Sequence, residues 1–170
     1  QMKIFQKHIL RLIIISAAVL FLVACDQTTK NIAKTELKNQ SKTEIGGIIN
    51  LQYIENDGGM LSLGSNLPQE IKFLIFIPVV AVFLVILFFY LIKHTQLVFS
   101  KQFALLLILS GGLGNLFDRI LNSGKVIDFI QLGLSGISTG VFNIADFYIT
   151  LGFVILSLSI FKRQKAAIQE

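Results

Sequence analysis

The stretch Phe73–Ile92, FLIFIPVVAVFLVILFFYLI, decides the fold class. It runs for 20 residues without a charged side chain. A helix needs about 20 residues to cross the roughly 30 Å of hydrocarbon in a bilayer. An uninterrupted apolar run of this length therefore predicts a membrane-spanning helix.

Three more apolar blocks accompany this run. Ile9–Cys25 contains one charge at Arg11, Phe103–Phe117 contains none, and Val141–Phe161 contains only Asp146. The predicted spans cover residues 9–25, 71–92, 97–119 and 141–161, and the outer segments cover residues 31–70 and 121–140. We therefore predict an all-α membrane protein with four transmembrane helices, a small extracytoplasmic β-sheet or hairpin and a surface loop, in a single domain over residues 1–170.

The composition agrees with membrane embedding and excludes other classes. Charged residues make up 15% of the chain, against about 25% in an ordinary soluble domain. The formal net charge is +5, but the basic residues are scattered between apolar blocks, so no nucleic-acid partner is predicted. The single cysteine, Cys25, excludes an internal disulfide. Because His8 and His94 have no further ligands at suitable spacing, no metal site is predicted.

Basic residues favour an orientation with both termini in the cytoplasm. Four spans place the termini on one side, which then carries eight of the 15 lysines and arginines. Six of the eight flank the spans at the termini: Lys3, Lys7, Arg11, Lys162, Arg163 and Lys165. Since cytoplasmic flanks are enriched in such residues, both outer segments are expected on the extracytoplasmic side.

The first outer segment has the pattern of a strand. Ile49, Leu51 and Tyr53 alternate with polar residues, and residues 56–59 (Asn-Asp-Gly-Gly) are typical of a turn before residues 60–63. A small hairpin or curved sheet at the membrane surface is expected.

The second outer segment, residues 121–140, is apolar for a loop and is expected to rest in the membrane interface. Both segments are predicted to be ordered, and the one nearer the acids Asp128 and Asp146, which are considered below, is predicted to act as a lid.

Acidic residues at membrane depth or at helix ends are costly and mark functional sites by default. Asp146 lies five residues into an apolar block and shares a face with Asn143. The alternative is a helix that begins near Ala145, with Asn143 as its N-cap and Asp146 in the first turn.

A polar helix face is predicted in the third block, where Gly111, Asn115, Asp118 and Arg119 follow one another at steps of three and four. Small and polar residues on one face suit close packing within a helical bundle. A structural polar contact with an interfacial ion pair remains the alternative.

Two further acids have unremarkable readings when each is taken alone. Asp26 and Lys30 would form an ordinary salt bridge at a helix end, and Asp128 would be an exposed acid of a loop. Together, however, Asp128 and Asp146 are predicted to reach the same outer interface. Two carboxyls that share a proton can polarise a peptide carbonyl and activate a water molecule.

Five motifs together resemble the lipoprotein signal peptidase, or signal peptidase II, family. They occur in the family's order: D-Q-x-x-K at residues 26–30, N-x-G-x-A-F-S at 56–62, G-G-x-G-N-x-x-D-R at 111–119, V-x-D-F at 126–129 and F-N-x-A-D at 142–146. The second motif departs from the family pattern, because Gly59, Met60 and Leu61 replace its usual small-Ala-Phe run. The departure affects the packing of this loop more than the chemistry.

The resemblance implies an intramembrane aspartyl endopeptidase with Asp128 and Asp146 as the catalytic dyad. Its implied substrate-binding and supporting residues are Asp26, Lys30, Asn56, Gly58, Asn115, Asp118, Arg119, Asn143 and Ala145. The substrates would be prolipoproteins that carry diacylglycerol on a cysteine, cut just before that cysteine. The resemblance further implies no cofactor, membrane lipids as neighbours, inhibition by lipopeptides of the globomycin type, a monomer, and a multi-pass location in the bacterial cytoplasmic (inner) membrane.

Competing readings place the function elsewhere. Leu22-Val23-Ala24-Cys25 fits a lipobox, which would make the chain a lipoprotein anchored at Cys25, although three further spans are unusual after a signal segment. A non-enzymatic membrane scaffold or transporter, in which buried acids relay ions, is a second alternative. A rhomboid-type serine protease needs a helical histidine on the outer side, where none is expected, and no spacing supports a Ser–Lys peptidase at Ser62.

Overall fold

A computed structural model describes residues 2–40, 43–58, 66–134 and 137–169 of the chain. The helices are α1 (Met2–Glu36), α2 (Gln69–Leu74), a π-helical segment (Ile75–Val79), α3 (Val80–Lys93), α4 (Phe99–Leu121) and α5 (Ile144–Gln169). Within these described ranges, four stretches are long and apolar enough to cross a membrane: Gln6–Glu36, Glu70–Lys93, Phe99–Leu121 and Ile144–Phe161. The prediction of a helical membrane protein with four spans is confirmed.

The second span contains a local change of helix type around Pro78. The π-helical segment Ile75–Val79 joins α2 to α3 and contains this proline. Proline lacks a backbone N–H and cannot complete the regular helical pattern, and short π segments accommodate such interruptions. The two α-helices and the π segment therefore act as one span, which ends at Lys93.

Helix α4 forms the centre of the bundle. Of its 23 residues, 13 are buried, whereas the other three spans expose large apolar side chains such as Leu20, Ile86 and Phe153. Such side chains suit contact with lipid, because a span faces hydrocarbon wherever it does not face protein. The polar residues in the second half of α4, Ser110, Asn115, Asp118 and Arg119, are consequently surrounded by protein.

Helix α1 is longer than the span predicted for it. The helix continues past Cys25 to Glu36, so Asp26 and Lys30 lie within it and not at its end. Their ion pair at spacing i,i+4 is present at 2.8 Å, but both side chains are buried. The interpretation as an ordinary helix-end salt bridge is therefore wrong.

The outer segments meet in one small antiparallel sheet. Its strands lie in the order β1 (Thr43–Ile45), β2 (Ile49–Asn56), β3 (Val126–Leu134) and β4 (Ile137–Ser138). The strand predicted around Leu51 is confirmed as β2. Its predicted hairpin partner, residues 60–63, lies outside the described residues. The segment predicted as a surface loop instead forms β3 and β4, because pairing with β2 satisfies its backbone groups.

An irregularity in the β2–β3 register bends the sheet next to the helices. Leu51 pairs with Ile130, but the next pair is Ile54 with Asp128, so β2 has one extra residue in this interval. Such a bulge bends a strand and redirects its side chains. The carboxyl of Asp128 and the amide of Asn56 meet beyond this bend.

Candidate active site

Asp128 is a buried acid held between two amide side chains. Only 1% of its surface is exposed. Asn56 Nδ2 donates to its Oδ2 at 2.8 Å, and Asn143 Nδ2 donates to its Oδ1 at 2.6 Å. The interpretation of Asp128 as an exposed acid of a loop is therefore wrong, because β3 carries it into the protein.

The pKa of Asp128 is raised from 3.8 to about 7. Burial is the largest cause, since a desolvated carboxylate is costly, and the nearby charge of Asp146 raises the pKa further. Hydrogen bonds from Asn56 and Asn143 oppose the shift. Asp128 can therefore hold a proton near neutral pH.

Asp146 lies in the first turn of α5, where Asn143 caps the helix. Asn143 Oδ1 accepts from the backbone N–H of Asp146 at 2.9 Å, and the Asn143 N–H donates back to Asp146 Oδ2 at 3.4 Å. This reciprocal arrangement is a capping box. The alternative of a helix that begins close to Ala145 is thus correct in its geometry, since α5 begins at Ile144. It does not account for the second contact, in which Asn115 Nδ2 donates to Asp146 Oδ1 at 2.8 Å.

Asn143 links the two acids directly. Its side-chain amide donates to Asp128 while its backbone N–H donates to Asp146. The same amide also lies 3.2 Å from Asn115 Oδ1 and from the Ile127 carbonyl. One fully buried residue therefore fixes both carboxyls relative to each other.

A buried ion cluster stands behind the pair of acids. Lys30 Nζ lies 2.8 Å from Asp26 Oδ2 and 3.0 Å from Asp118 Oδ2. It also donates to Asn115 Oδ1 at 3.0 Å. Three acceptors use the three N–H groups of the ammonium, so the cation is fully satisfied inside the protein.

Each acid of this cluster also fixes the backbone next to one member of the pair. Asp26 Oδ1 accepts from the N–H of Ala145, the neighbour of Asp146, at 2.9 Å. Asp118 Oδ2 accepts from the N–H of Ile127, the neighbour of Asp128, at 3.1 Å. The cluster therefore positions the start of α5 and the start of β3 together.

Arg119 joins α4 to the loop after β2. Its Nη2 donates to the Gly58 carbonyl at 2.8 Å, and its Nη1 donates to the Asn115 carbonyl at 3.3 Å. The Gly58 N–H donates in turn to Asn56 Oδ1 at 2.9 Å. The rest of this motif, residues 59–62, lies outside the described residues.

All the site residues predicted from sequence lie in this one region. They are Asp26, Lys30, Asn56, Gly58, Asn115, Asp118, Arg119, Asp128, Asn143, Ala145 and Asp146. Two contributors were missed. Gln27 Nε2 donates to Asp118 Oδ1 at 2.8 Å, and its place in the D-Q-x-x-K motif was the available signal. The ring of Phe76 lies 5.0 Å from the Arg119 guanidinium, but one phenylalanine within an apolar span carries no signal.

The arrangement suits proton transfer between acids and water. Two buried carboxyls tied to one residue can share a proton, so that one acts as an acid while the other acts as a base. Within the described parts of the chain, no group of three or more His, Cys, Asp or Glu side chains could hold a metal ion.

Comparison with known proteins shows close relatives. The family model described as Signal peptidase (SPase) II matches residues 18–162. A lipoprotein signal peptidase of Streptococcus agalactiae is 38% identical over 156 residues, which cover 91% of this chain and 96% of the relative. One from Streptococcus pyogenes is 36% identical over 155 residues, with 91% and 95% covered.

Two solved structures are also similar to this chain. Two structures of a bacterial membrane enzyme, both 30% identical to this chain, superpose with TM-scores of 0.74 and 0.71. The first match covers 88% of both chains, and the second covers 87% of this chain and 92% of the other.

Proposed function

Since the chain belongs to the signal peptidase II family and removes signal peptides from prolipoproteins, we propose that Asp128 and Asp146 carry out the cleavage as an aspartyl pair. The observation that carries this proposal is the double contact of Asn143 with both carboxyls. The raised pKa of Asp128, about 7, supports a shared proton at neutral pH. The readings as a lipoprotein anchored at Cys25 and as a scaffold or transporter are not favoured.

The mechanism is general acid–base hydrolysis without a covalent intermediate. The ionised carboxyl takes a proton from water while the protonated carboxyl donates its proton to the carbonyl oxygen of the scissile bond, which gives a tetrahedral diol. A proton then passes from the pair to the leaving nitrogen. The C–N bond breaks to release a carboxyl group and an amine, and one hydroxyl of the diol gives its proton back to the pair, which regains its single shared proton.

The surrounding residues have positioning roles. Asn56, Asn115 and Asn143 hold the oxygens of the two acids. Asp26 and Asp118, neutralised in part by Lys30, fix the backbone next to each acid. Such preorganisation is what an active site requires if its acids are to stay in reacting geometry.

The location of the pair suits a lipid-anchored substrate. Asp146 lies at the first turn of the fourth span, and Asp128 lies in the adjoining sheet. A diacylglycerol group on the substrate cysteine would anchor the peptide at this level, with the cut just before that cysteine. Lipopeptide inhibitors of the globomycin type would occupy the same site.

We further propose a monomer in the bacterial inner membrane, with the sheet and the acids on the extracytoplasmic side and with lid motion in the outer segments.

Substitution of each acid by its amide tests the proposal. We expect Asp128→Asn and Asp146→Asn each to lower cleavage of a diacylated prolipoprotein by at least about 100-fold, because an amide cannot exchange the acid and base roles. Intact mass of the product measures the cut. Glu44→Gln, at an exposed acid of the same sheet, is the matched control and should cleave normally.

Folding must be measured alongside the cleavage. Both amide variants should keep the unfolding midpoint of the wild-type protein within a few degrees, since an amide retains the shape of the carboxyl. A folded variant with near-normal turnover would show that its aspartate is not a reacting group.

A further inference from the structure

Gln27 lies between the two acids of the buried ion cluster and contacts both of them. Its side-chain Nε2 donates to Asp118 Oδ1 at 2.8 Å and lies 3.2 Å from Asp26 Oδ2. The same nitrogen lies 3.2 Å from the Gly114 carbonyl oxygen in α4. Gln27 therefore joins α1 to α4 at the point where the acids of the cluster meet.

Lys30 bridges the same two acids, but it reaches the other oxygen of Asp118. Its Nζ lies 3.0 Å from Asp118 Oδ2, which also accepts from the Ile127 N–H at 3.1 Å. Among the described residues, the donor that reaches Asp118 Oδ1 is Gln27 alone. The orientation of this carboxyl is therefore fixed by Gln27 on one side and by Lys30 and Ile127 on the other.

A neutral donor suits this position. The cluster contains two acids and one lysine, so it carries one negative charge in excess when both acids are ionised. An N–H group stabilises a carboxylate without adding a charge to the protein interior. Gln27 is half-buried, and its amide supplies such a group.

The orientation of Asp118 affects one of the two proposed reacting acids. The N–H that Asp118 Oδ2 accepts belongs to Ile127, the residue before Asp128. Asp118 is 2% exposed, so an oxygen that lost its donor could not turn to bulk water. The carboxyl would instead rotate towards its remaining donors, and its contact with the start of β3 would change.

We propose that Gln27 is a positioning residue for the cleavage, which holds Asp118 Oδ1 and thereby fixes the start of β3 and the place of Asp128. The inference rests on the proposed role of Asp128, because the start of β3 affects the rate only if that residue reacts. The printed contacts of Gln27 are with Asp26, Gly114 and Asp118. Its loss should therefore lower kcat and leave the KM for the prolipoprotein unchanged.

Steady-state cleavage of a diacylated prolipoprotein by full-length variants tests the inference. Gln27→Leu keeps much of the side-chain volume but removes the donor, and it should lower kcat about tenfold, because a small displacement of a reacting group costs rate on that scale. Thr28→Val is the matched control, since Thr28 is exposed in the same turn of α1, and it should keep the wild-type kcat. All rates are measured below the unfolding midpoint of each variant.

A double-mutant cycle shows whether Gln27 acts through Asp118. In an Asp118→Asn background, the arrangement that Gln27 maintains is already lost. Gln27→Leu should then lower kcat by less than about twofold, whereas residues that act independently would give the same loss in both backgrounds.

Gln27→Glu adds a signature in the pH profile. This change keeps the shape of the side chain, but an ionised carboxyl repels Asp118, whereas a protonated one can donate to it. The charged groups around position 27 are Asp26 and Lys30 on α1 and Asp118 on α4. The kcat of this variant, relative to that of the wild-type protein at each pH, should rise as the pH falls. The corresponding ratio for Gln27→Leu should stay constant, since leucine does not titrate.

Three results would overturn the proposal. A wild-type kcat for folded Gln27→Leu would show that Asp118 needs no donor at Oδ1. Equal losses from Gln27→Leu with and without Asp118→Asn would place its effect elsewhere. A ratio for Gln27→Glu that does not change with pH would exclude the hydrogen bond as the cause.

Failure of this inference is distinguishable from failure of the proposed catalytic pair. Normal cleavage by folded Asp128→Asn would reject the pair, and with it the reason for a lower kcat in Gln27→Leu. Loss of cleavage in Asp128→Asn together with a wild-type kcat for Gln27→Leu would reject the positioning role alone.

Discussion

Replacement of Lys30 by methionine should destabilise the protein more than any other single change in the buried cluster. Lys30 is 1% exposed and lies within 3.0 Å of two acids, Asp26 and Asp118, that are 0% and 2% exposed. Removal of the cation leaves two buried carboxylates without compensation. Loss of one partner from a buried ion pair costs about 3–5 kcal/mol, which for a chain of this size corresponds to a fall of about 6–20 °C in the unfolding midpoint.

Asp26→Asn should be much milder than the lysine change. The amide oxygen can still accept from the Ala145 N–H, and Lys30 then faces Asp118 alone as a balanced pair. The remaining cost is that of a weakened hydrogen bond, about 1–2 kcal/mol. We therefore expect lower activity from Asp26→Asn chiefly through lower stability, whereas Lys30→Met should displace both backbone segments that the cluster holds.

A thiol-reactive dye provides the assay. Cys25 is the sole cysteine of the chain and is partly buried in α1, so its labelling on heating reports the opening of this helix. Lys34→Met, one turn further along α1 at an exposed position, is the matched control. Our account of the cluster would be refuted if Lys30→Met unfolded within about 2 °C of the wild-type protein, or if Asp26→Asn were equally damaging.

Three further predictions concern the pH dependence of cleavage, the pH dependence of unfolding and the topology. The pKa of Asp128 is raised from 3.8 to about 7, so the pair should lose its shared proton, and cleavage should fall, as the pH rises above about 7; an unchanged rate at pH 9 would exclude this group. The folded state binds the Asp128 proton more tightly than the unfolded chain does. The contribution of this proton to the free energy of unfolding is therefore complete below pH 3.8 and is lost as the pH rises to about 7. Asp128→Asn should remove this part of the pH dependence of unfolding. In a Cys25→Ser background, a cysteine at Lys38 should react with an impermeant reagent from outside the cell and one at Lys93 should not; outside labelling at Lys93 would reverse the proposed orientation.

Local patterns in the sequence were sufficient to predict the four spans and the residues that the structure brings together around Asp128 and Asp146. An uncharged run such as residues 73–92 has one physical solution in a membrane, and the five sequence motifs pointed to the acids. The Asn143–Asp146 capping box is likewise local, since both its partners lie within one turn. Neither the spans nor this capping box depends on contacts with a distant segment of the chain.

Contacts between distant segments could not be predicted from these patterns. The hairpin expected after β2 involves residues 60–63, which lie outside the described residues, and its prediction relied on neighbouring residues. The pairing of β2 with β3, about 70 residues further on, could not be predicted in this way. The burial of Lys30 depends on Asp118 and Asn115 in another helix, and periodicity along α1 does not contain that information. The resemblance to a family supplied the list of residues, but not the hydrogen bonds that join them.

The glycines of α4 explain how so polar a site fits inside a helical bundle. A Cβ built on Gly114 would lie 2.5 Å from Asp26 Oδ2, and one built on Gly111 would collide with the Ala145 carbonyl. Helix α4 therefore approaches both α1 and the start of α5 more closely than any other residue type would permit, as small residues do between membrane helices. If α4 carried a larger residue at position 114, the Asp26 carboxyl could not lie against α4 and also accept from the Ala145 N–H. The two glycines thus set the distances from α4 to α1 and to α5. At these distances the Asp26 carboxylate can bind Lys30 in its own helix and also accept from the first turn of α5, which contains Asp146.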